Sequence, residues 1–175
     1  KKNGIKPILG CEINIENSII SNPNKDSQLL LLAKNNIGYI NLMKIVSLSY
    51  LQSVGQTATI SKKLLAENSE GLIVTSSGLK GEITYYASIG DYKNAELVAL
   101  EYKNFFKDNF YLEIQNHTLA EELASHEILS KISKNHSILL VATNDTRYTF
   151  KEDAIDYEVM SCIGLGVHLN SPQKS

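Results

Sequence analysis

Short apolar runs alternate with longer amphipathic stretches along the chain, and this alternation predicts its elements. Ile5–Glu16 opens apolar and then sets Ile13 and Ile15 between polar neighbours. That predicts a strand through Ile13–Ile15 and a second extended piece at Pro7–Leu9. Asn17–Asp26 is rich in Ser, Asn and Lys around Pro23 and predicts a surface loop. Gln28–Ala33 is a continuous apolar run of the kind found in strands buried on both faces. Asn36–Gln52 predicts a long helix capped by Asn35 or Asn36. Its expected buried face is Tyr39, Leu42, Met43, Val46 and Tyr50, widened by Ile40, Leu48 and Leu51. Ser53–Thr59 predicts a loop, Ile60–Asn68 a short helix capped by Ser61, Gly71–Ser76 a buried strand and Gly81–Ser88 a short helix.

The second half repeats the pattern. Asp91–Asp108 predicts a helix with Ala95, Val98, Ala99, Tyr102 and Phe106 on one side, and Phe110–Ile114 a strand. Thr118–Asn135 predicts a helix with Thr118 as N-cap, Glu121 completing a capping box, and Ala120, Ala124, Ile128 and Ile132 buried. Ser137–Thr143 predicts the clearest buried strand of the chain, and Lys151–Ile163 a last helix. Strands alternating with helices point to the α/β class, with βαβ units around a parallel sheet. No internal repeat or low-complexity tract interrupts the pattern.

Composition narrows the function classes. Of 175 residues, 43% are hydrophobic and 21% charged, which supports a core and excludes a disordered chain. No apolar run approaches the roughly 18 residues of a membrane span. The net charge of −2, from 17 basic and 19 acidic residues, gives the chain no strong pull of its own on DNA or RNA. Cys11 and Cys162, without a C-x-x-C, are expected to be reduced thiols in a cytoplasmic protein. The opening Lys-Lys-Asn-Gly carries no signal peptide, and the end at Asn170–Ser175 is polar, so a piece of a longer chain is expected.

In α/β folds the chemistry gathers at the C-terminal ends of strands. Those positions offer Glu12, Ser76, Ser77, Asn116, His117, Asn144 and Asp145. Glu12, His117 and Asp145 bring two carboxylates and an imidazole, a set suited to Zn²⁺ or Mn²⁺ if they converge. Polar residues after strands also serve as turn formers and helix caps, and both readings stand at this point. Dinucleotide, P-loop and nucleophile-elbow motifs are missing from the sequence, and Gly164-Leu165-Gly166 reads as a helix stop. His136 falls at a helix C-terminus, where the dipole favours it, while Tyr85-Tyr86 and Phe105-Phe106 fall at core spacing.

The blocks GIKPILGCEINIE (4–16), LLLLAKNNIGYINLMKIVSLSYL (29–51), EGLIVTSSGLKGEI (70–83), FYLEIQNH (110–117) and ILLVATNDTRYTFKEDAIDYEVMSCIGLG (138–166) are more specific. Together they resemble the PHP (polymerase and histidinol phosphatase) domain found at the start of bacterial DNA polymerase III alpha subunits. The likeness covers residues 1–175 as one partial domain, diverges at 17–27 and 52–59, and at about 167–175 resembles the linker towards the polymerase palm. It implies a distorted seven-stranded β/α barrel, here incomplete because the strand bearing His-x-His should precede Lys1. Such barrels hold up to three metal ions, and relatives with intact sites perform 3'→5' exonuclease proofreading.

Residue by residue, Glu12 matches the family's Gly-Cys-Glu ligand and Asp145 the Asp of Asn-Asp-x-His. His117 falls in the segment matching Gln-Asp-His. Two ligand positions are substituted: Arg147 stands for the His of Asn-Asp-x-His, and Gly78 for a Cys. Ala58-Thr59-Ile60 replaces Pro-Arg-Ile. A guanidinium has no lone pair for a metal and repels one, so Arg147 is expected to pair with Asp145 or Glu12. The resemblance therefore implies a degenerate domain, kept for structure and for binding the epsilon proofreading exonuclease subunit, with vestigial Glu12, His117 and Asp145. The alternative is an active metal-dependent exonuclease or phosphoesterase module using Zn²⁺ or Mn²⁺. Polymerisation, with DNA and Mg²⁺, would belong to the parent chain. A barrel lacking a strand would expose paired edges, so the isolated segment is expected to be poorly soluble.

Overall fold

The computed structural model describes residues 3–16, 27–52 and 58–170, in two units that divide between Thr143 and Asn144. The loop expected at Asn17–Asp26 and most of the one at Ser53–Thr59 lie outside the described residues. The first unit holds strands β1 (Gly10–Ile15), β2 (Ser27–Ala33), β3 (Thr59–Ile60), β4 (Leu72–Thr75), β5 (Phe110–Ile114) and β6 (Leu139–Ala142). Its helices are α1 (Asn36–Gln52), α2 (Lys62–Glu67), α3 (Glu82–Ser88), α4 (Tyr92–Phe106) and α5 (Ala120–His136). The second unit carries a 3₁₀ turn at Lys151–Asp153 and helix α6 (Ala154–Leu165), which ends at Gly166 as the glycine pair predicts.

The strands form one sheet in the order β3-β1-β2-β4-β5-β6. β1 pairs antiparallel with β2 and β2 antiparallel with β4, while β1–β3, β4–β5 and β5–β6 are parallel. The sheet is mixed rather than parallel, a correction, and among the described residues it is an open sheet, not a closed barrel. Pro7–Leu9 is not a strand; its one ladder-like bond runs from Ala33 N–H to the Leu9 carbonyl at 2.8 Å.

Register assigns the sheet two different faces. Ile13 lies opposite Leu29, Leu31 opposite Val74, and Val74 beside Phe110, so these side chains share one face. That face is buried beneath the helices, with Ile15, Leu31, Leu72, Val74 and Leu112 fully enclosed. The other face carries Glu12, Leu30, Thr75, Tyr111, Glu113 and Val141. β2 is therefore not buried on both faces: Leu29 and Leu31 are buried, whereas Leu30 and Leu32 are half-buried. β6, expected to be the most buried strand, is an edge whose Leu139 is 65% exposed.

The helices divide between agreement and correction. In α4 the predicted residues Ala95, Val98, Ala99, Tyr102 and Phe106 are the buried ones, and Asp91 caps it by accepting from Asn94 N–H. Ser61 caps α2 in the same way. α1 is capped by Asn35, which accepts from Gly38 N–H at 2.9 Å. However, α1 buries Gly38, Leu42, Ile45 and Ser49, leaving Tyr39, Met43 and Tyr50 exposed. The cause is a close approach: a Cβ on Gly38 would stand 1.8 Å from the Gly71 carbonyl oxygen. Only glycine lets α1 settle there, and that rotates its apolar residues outward. In α5, Thr118 has φ +62 and lies outside the helix, and Leu119 is the N-cap. No capping box forms there; Glu122, rather than Glu121, turns back and accepts the His117 N–H, and Ala120 and Ala124 are exposed while Glu122, Ser125 and Leu129 are buried.

One buried ion cluster fastens three helices. Lys62 Nζ of α2 lies 2.8 Å from Glu82 Oε2 of α3 and 2.8 Å from Glu101 Oε2 of α4. It also sits 5.0 Å from the Tyr102 ring centre. Burial, then the Glu82 charge, push the Tyr86 phenol up to about 12 and hold Tyr102 well above its ordinary value. Both phenols stay neutral beside the carboxylates. Removing the ammonium would strand a buried Glu82 charge. Lys62→Met is expected to lower unfolding free energy by about 3–5 kcal/mol in chemical denaturation; a loss under about 1 kcal/mol would show that the cluster is solvated.

Candidate functional site

Glu12 does not follow a strand end but lies inside β1, and register shows which face of the sheet it takes. Glu12 is opposite Leu30, and Leu30 opposite Thr75, the last residue of β4. Glu12 thus stands on the polar-bearing face, two strands or about 10 Å from Thr75. Its side chain is exposed.

The strand ends of β4, β5 and β6 converge on a residue that the sequence reading passed over. Glu113 of β5 is 4% exposed. Its Oε2 accepts from the Thr75 hydroxyl, and its Oε1 accepts from the Thr143 hydroxyl at 2.5 Å and from Gln115 Nε2 at 3.0 Å. Gln115 Nε2 also approaches Thr143 Oγ1 at 3.2 Å. The Glu113 N–H donates to Ser76 Oγ at 2.9 Å, and Ser76 is fully buried. Four residues on three strand ends are tied through one carboxylate. The signal was present in the alternation Phe110-Tyr111-Leu112-Glu113, which puts Glu113 on the face away from the core.

Gly78 lies in a 3₁₀ turn (Gly78–Lys80) that leaves β4 through Ser76 and Ser77. Its φ is +50, a conformation that side chains disfavour. A Cβ there would lie 2.4 Å from Oε1 and 2.8 Å from Cδ of Gln115. The space of a side chain at 78 is taken by the Gln115 amide.

His117 follows β5 on the loop to α5. Its Nδ1 lies 2.7 Å from Glu122 Oε1, and its backbone N–H donates to Glu122 Oε2 at 2.6 Å. Glu122 is 3% exposed. Burial alone would raise its carboxyl, but hydrogen bonds from the His117 ring and backbone, the His117 charge and the Leu119 N–H together hold it below the usual range. His126 Nε2 lies 2.9 Å from the Gln115 carbonyl oxygen, so α5 grips the β5 exit at two points. In the second unit, Arg147 Nη2 pairs with Asp145 Oδ2 at 2.5 Å, both half-exposed. Asp145 is thus the expected partner of Arg147, and the pair is formed within one loop.

Among the described residues, no three His, Cys, Asp or Glu side chains gather where they could share a metal ion. Gly78 brings no donor and Arg147 only N–H groups, and the carboxylate best enclosed by strand ends, Glu113, has its oxygens committed to Thr and Gln. Within the first unit, Gly78 and Glu113 as bonded here do not fit the open ligand set that a multi-metal phosphoesterase centre needs.

Sequence comparison supplies the family. Residues 1–117 match the family model described as PHP domain. The chain belongs to the PHP domain family. It is 39% identical over 187 residues to the DNA polymerase III subunit alpha of Campylobacter jejuni, covering 99% of this chain and 16% of that protein. The alpha subunit of Helicobacter pylori (strain 26695) is 38% identical over 183 residues, covering 97% and 15%, and that of Thermus aquaticus 33% identical over 178 residues, covering 98% and 15%. The chain therefore spans 15–16% of the length of these relatives.

The depressed Glu122 carboxyl makes the α5 start sensitive to acid. Its contribution to stability is present above the unfolded carboxylate range and lost as pH falls through the lowered folded value. Glu122→Ala is expected to cost about 1–3 kcal/mol at neutral pH. That cost should shrink in acid when melts of the two proteins are followed against pH; a pH-independent difference would contradict the ion-paired assignment.

Proposed function

We propose that this chain is a segment of the alpha subunit of a bacterial replicative DNA polymerase III, and that its PHP domain has a structural role. The observation that supports the first part is the length of the likeness: relatives named as that subunit match 97–99% of the chain. What supports the second is the Gln115 amide over Gly78 together with the cation at Arg147. Glu12, His117 and Asp145 are vestiges of a ligand set. The complete polypeptide would be a DNA-directed DNA polymerase that works in the cytoplasm. Template DNA, nucleotides and Mg²⁺ would bind at a palm domain outside this segment, and this domain would offer its surface to an epsilon-type proofreading exonuclease.

The rival reading is a metal-dependent 3'→5' exonuclease, carried by the donors that Glu12, His117 and Asp145 retain. The complete polypeptide, purified without any exonuclease subunit, separates the two. It is expected to extend a primer with Mg²⁺ and to leave a labelled single strand intact with Mn²⁺ or Zn²⁺. It is also expected to retain an added epsilon subunit on gel filtration. Degradation of the strand that Glu12→Ala abolishes would establish the rival.

A further inference from the structure

We infer that Gln115 is a built-in substitute for a side chain at position 78, and that with Glu113 it holds the ends of β4, β5 and β6 together without any metal ion. The inference rests on the reading of the domain as degenerate and names the residues that replace the lost chemistry.

The carboxylate of Glu113 orients the amide. Nε2 faces Glu113 Oε1 at 3.0 Å and Thr143 Oγ1 at 3.2 Å, so Oε1 is turned towards Gly78. The same orientation puts that oxygen 2.4 Å from where a Cβ at 78 would stand. Gly78 and Gln115 are therefore a coupled pair. A side chain at 78 must expel the amide, and expelling it removes one of the three donors of a buried carboxylate. A metal ion at such strand ends would pull several donors to one point. Here that tie is made by Thr75, Thr143 and Gln115 around Glu113, each from its own strand end. The backbone joins in: Glu113 N–H donates to Ser76 Oγ, Ser76 N–H to the Tyr111 carbonyl at 3.2 Å, and Thr143 N–H to the Ile114 carbonyl at 3.1 Å. Those three amides report on whether the mouth is closed.

Hydrogen exchange of the complete polypeptide at the amides of Ser76, Glu113 and Thr143 tests the inference, with probes of chelator, Mn²⁺ and Zn²⁺. The wild type is expected to exchange at the same rate under all three conditions. Gln115→Ala is expected to exchange about tenfold faster or more at these amides. Gly78→Ala should also speed exchange, and adding it to Gln115→Ala should cost little more, because the amide is already gone. If Gly78→Ala does not fold, Gln115→Ala alone decides. Unchanged rates in Gln115→Ala, with no response of the wild type to metal, would overturn the inference and leave the degenerate reading standing. Slower exchange of the wild type on adding Mn²⁺ or Zn²⁺ would overturn both.

Discussion

A carboxylate cannot be buried without donors, and Glu113 is buried at the point where three parallel strands end. Its need for donors fixes Thr75, Thr143 and Gln115 in place, and through them the ends of β4, β6 and β5. The consequences run outward. Gln115 held by Glu113 fills the space above Gly78, and its backbone carbonyl faces His126 of α5. Glu122, three residues past the N-cap Leu119, then takes the His117 ring and backbone. The strand mouth and the start of α5 form one hydrogen-bonded assembly.

The buried side of the sheet rests on a different device. Aliphatic side chains of β1, β2, β4 and β5 supply the enclosed face, and Lys62 pins α2, α3 and α4 by pairing with Glu82 and Glu101. One face is thus held by apolar burial and a charged staple among helices, and the other by polar bonds at strand ends.

The elements themselves were legible where local chemistry and packing agree. α4 follows its periodicity because its apolar side chains form a single stripe, and α2 and α4 start at Ser61 and Asp91 because both side chains accept backbone N–H bonds. Legibility failed where a long-range contact chose the face. α1 is apolar on several sides, so the meeting of Gly38 with Gly71, invisible in a local window, decided its rotation. β6 is as apolar as a central strand and yet stands at an edge, since pairing order is not written in one strand. At the site, residues after strands were found by rule, and the family likeness supplied Gly78 and Arg147. Glu113 and Gln115 were missed because a glutamate inside a strand and a glutamine after it carry no motif; only register and distance give them a role. The mixed pairing of the sheet also escaped, because alternating strands and helices say nothing of the antiparallel pairing of β2 with its neighbours.

The most direct test of a metal-independent strand mouth is a crystal structure of the complete polypeptide grown with Mn²⁺ or Zn²⁺ and measured for anomalous scattering. The account predicts no anomalous peak within coordination distance of Glu12 or His117, with the Gln115 amide over Gly78 and bonded to Glu113. A metal ion ligated by Glu12 and His117, with Gln115 swung away from Gly78, would contradict it.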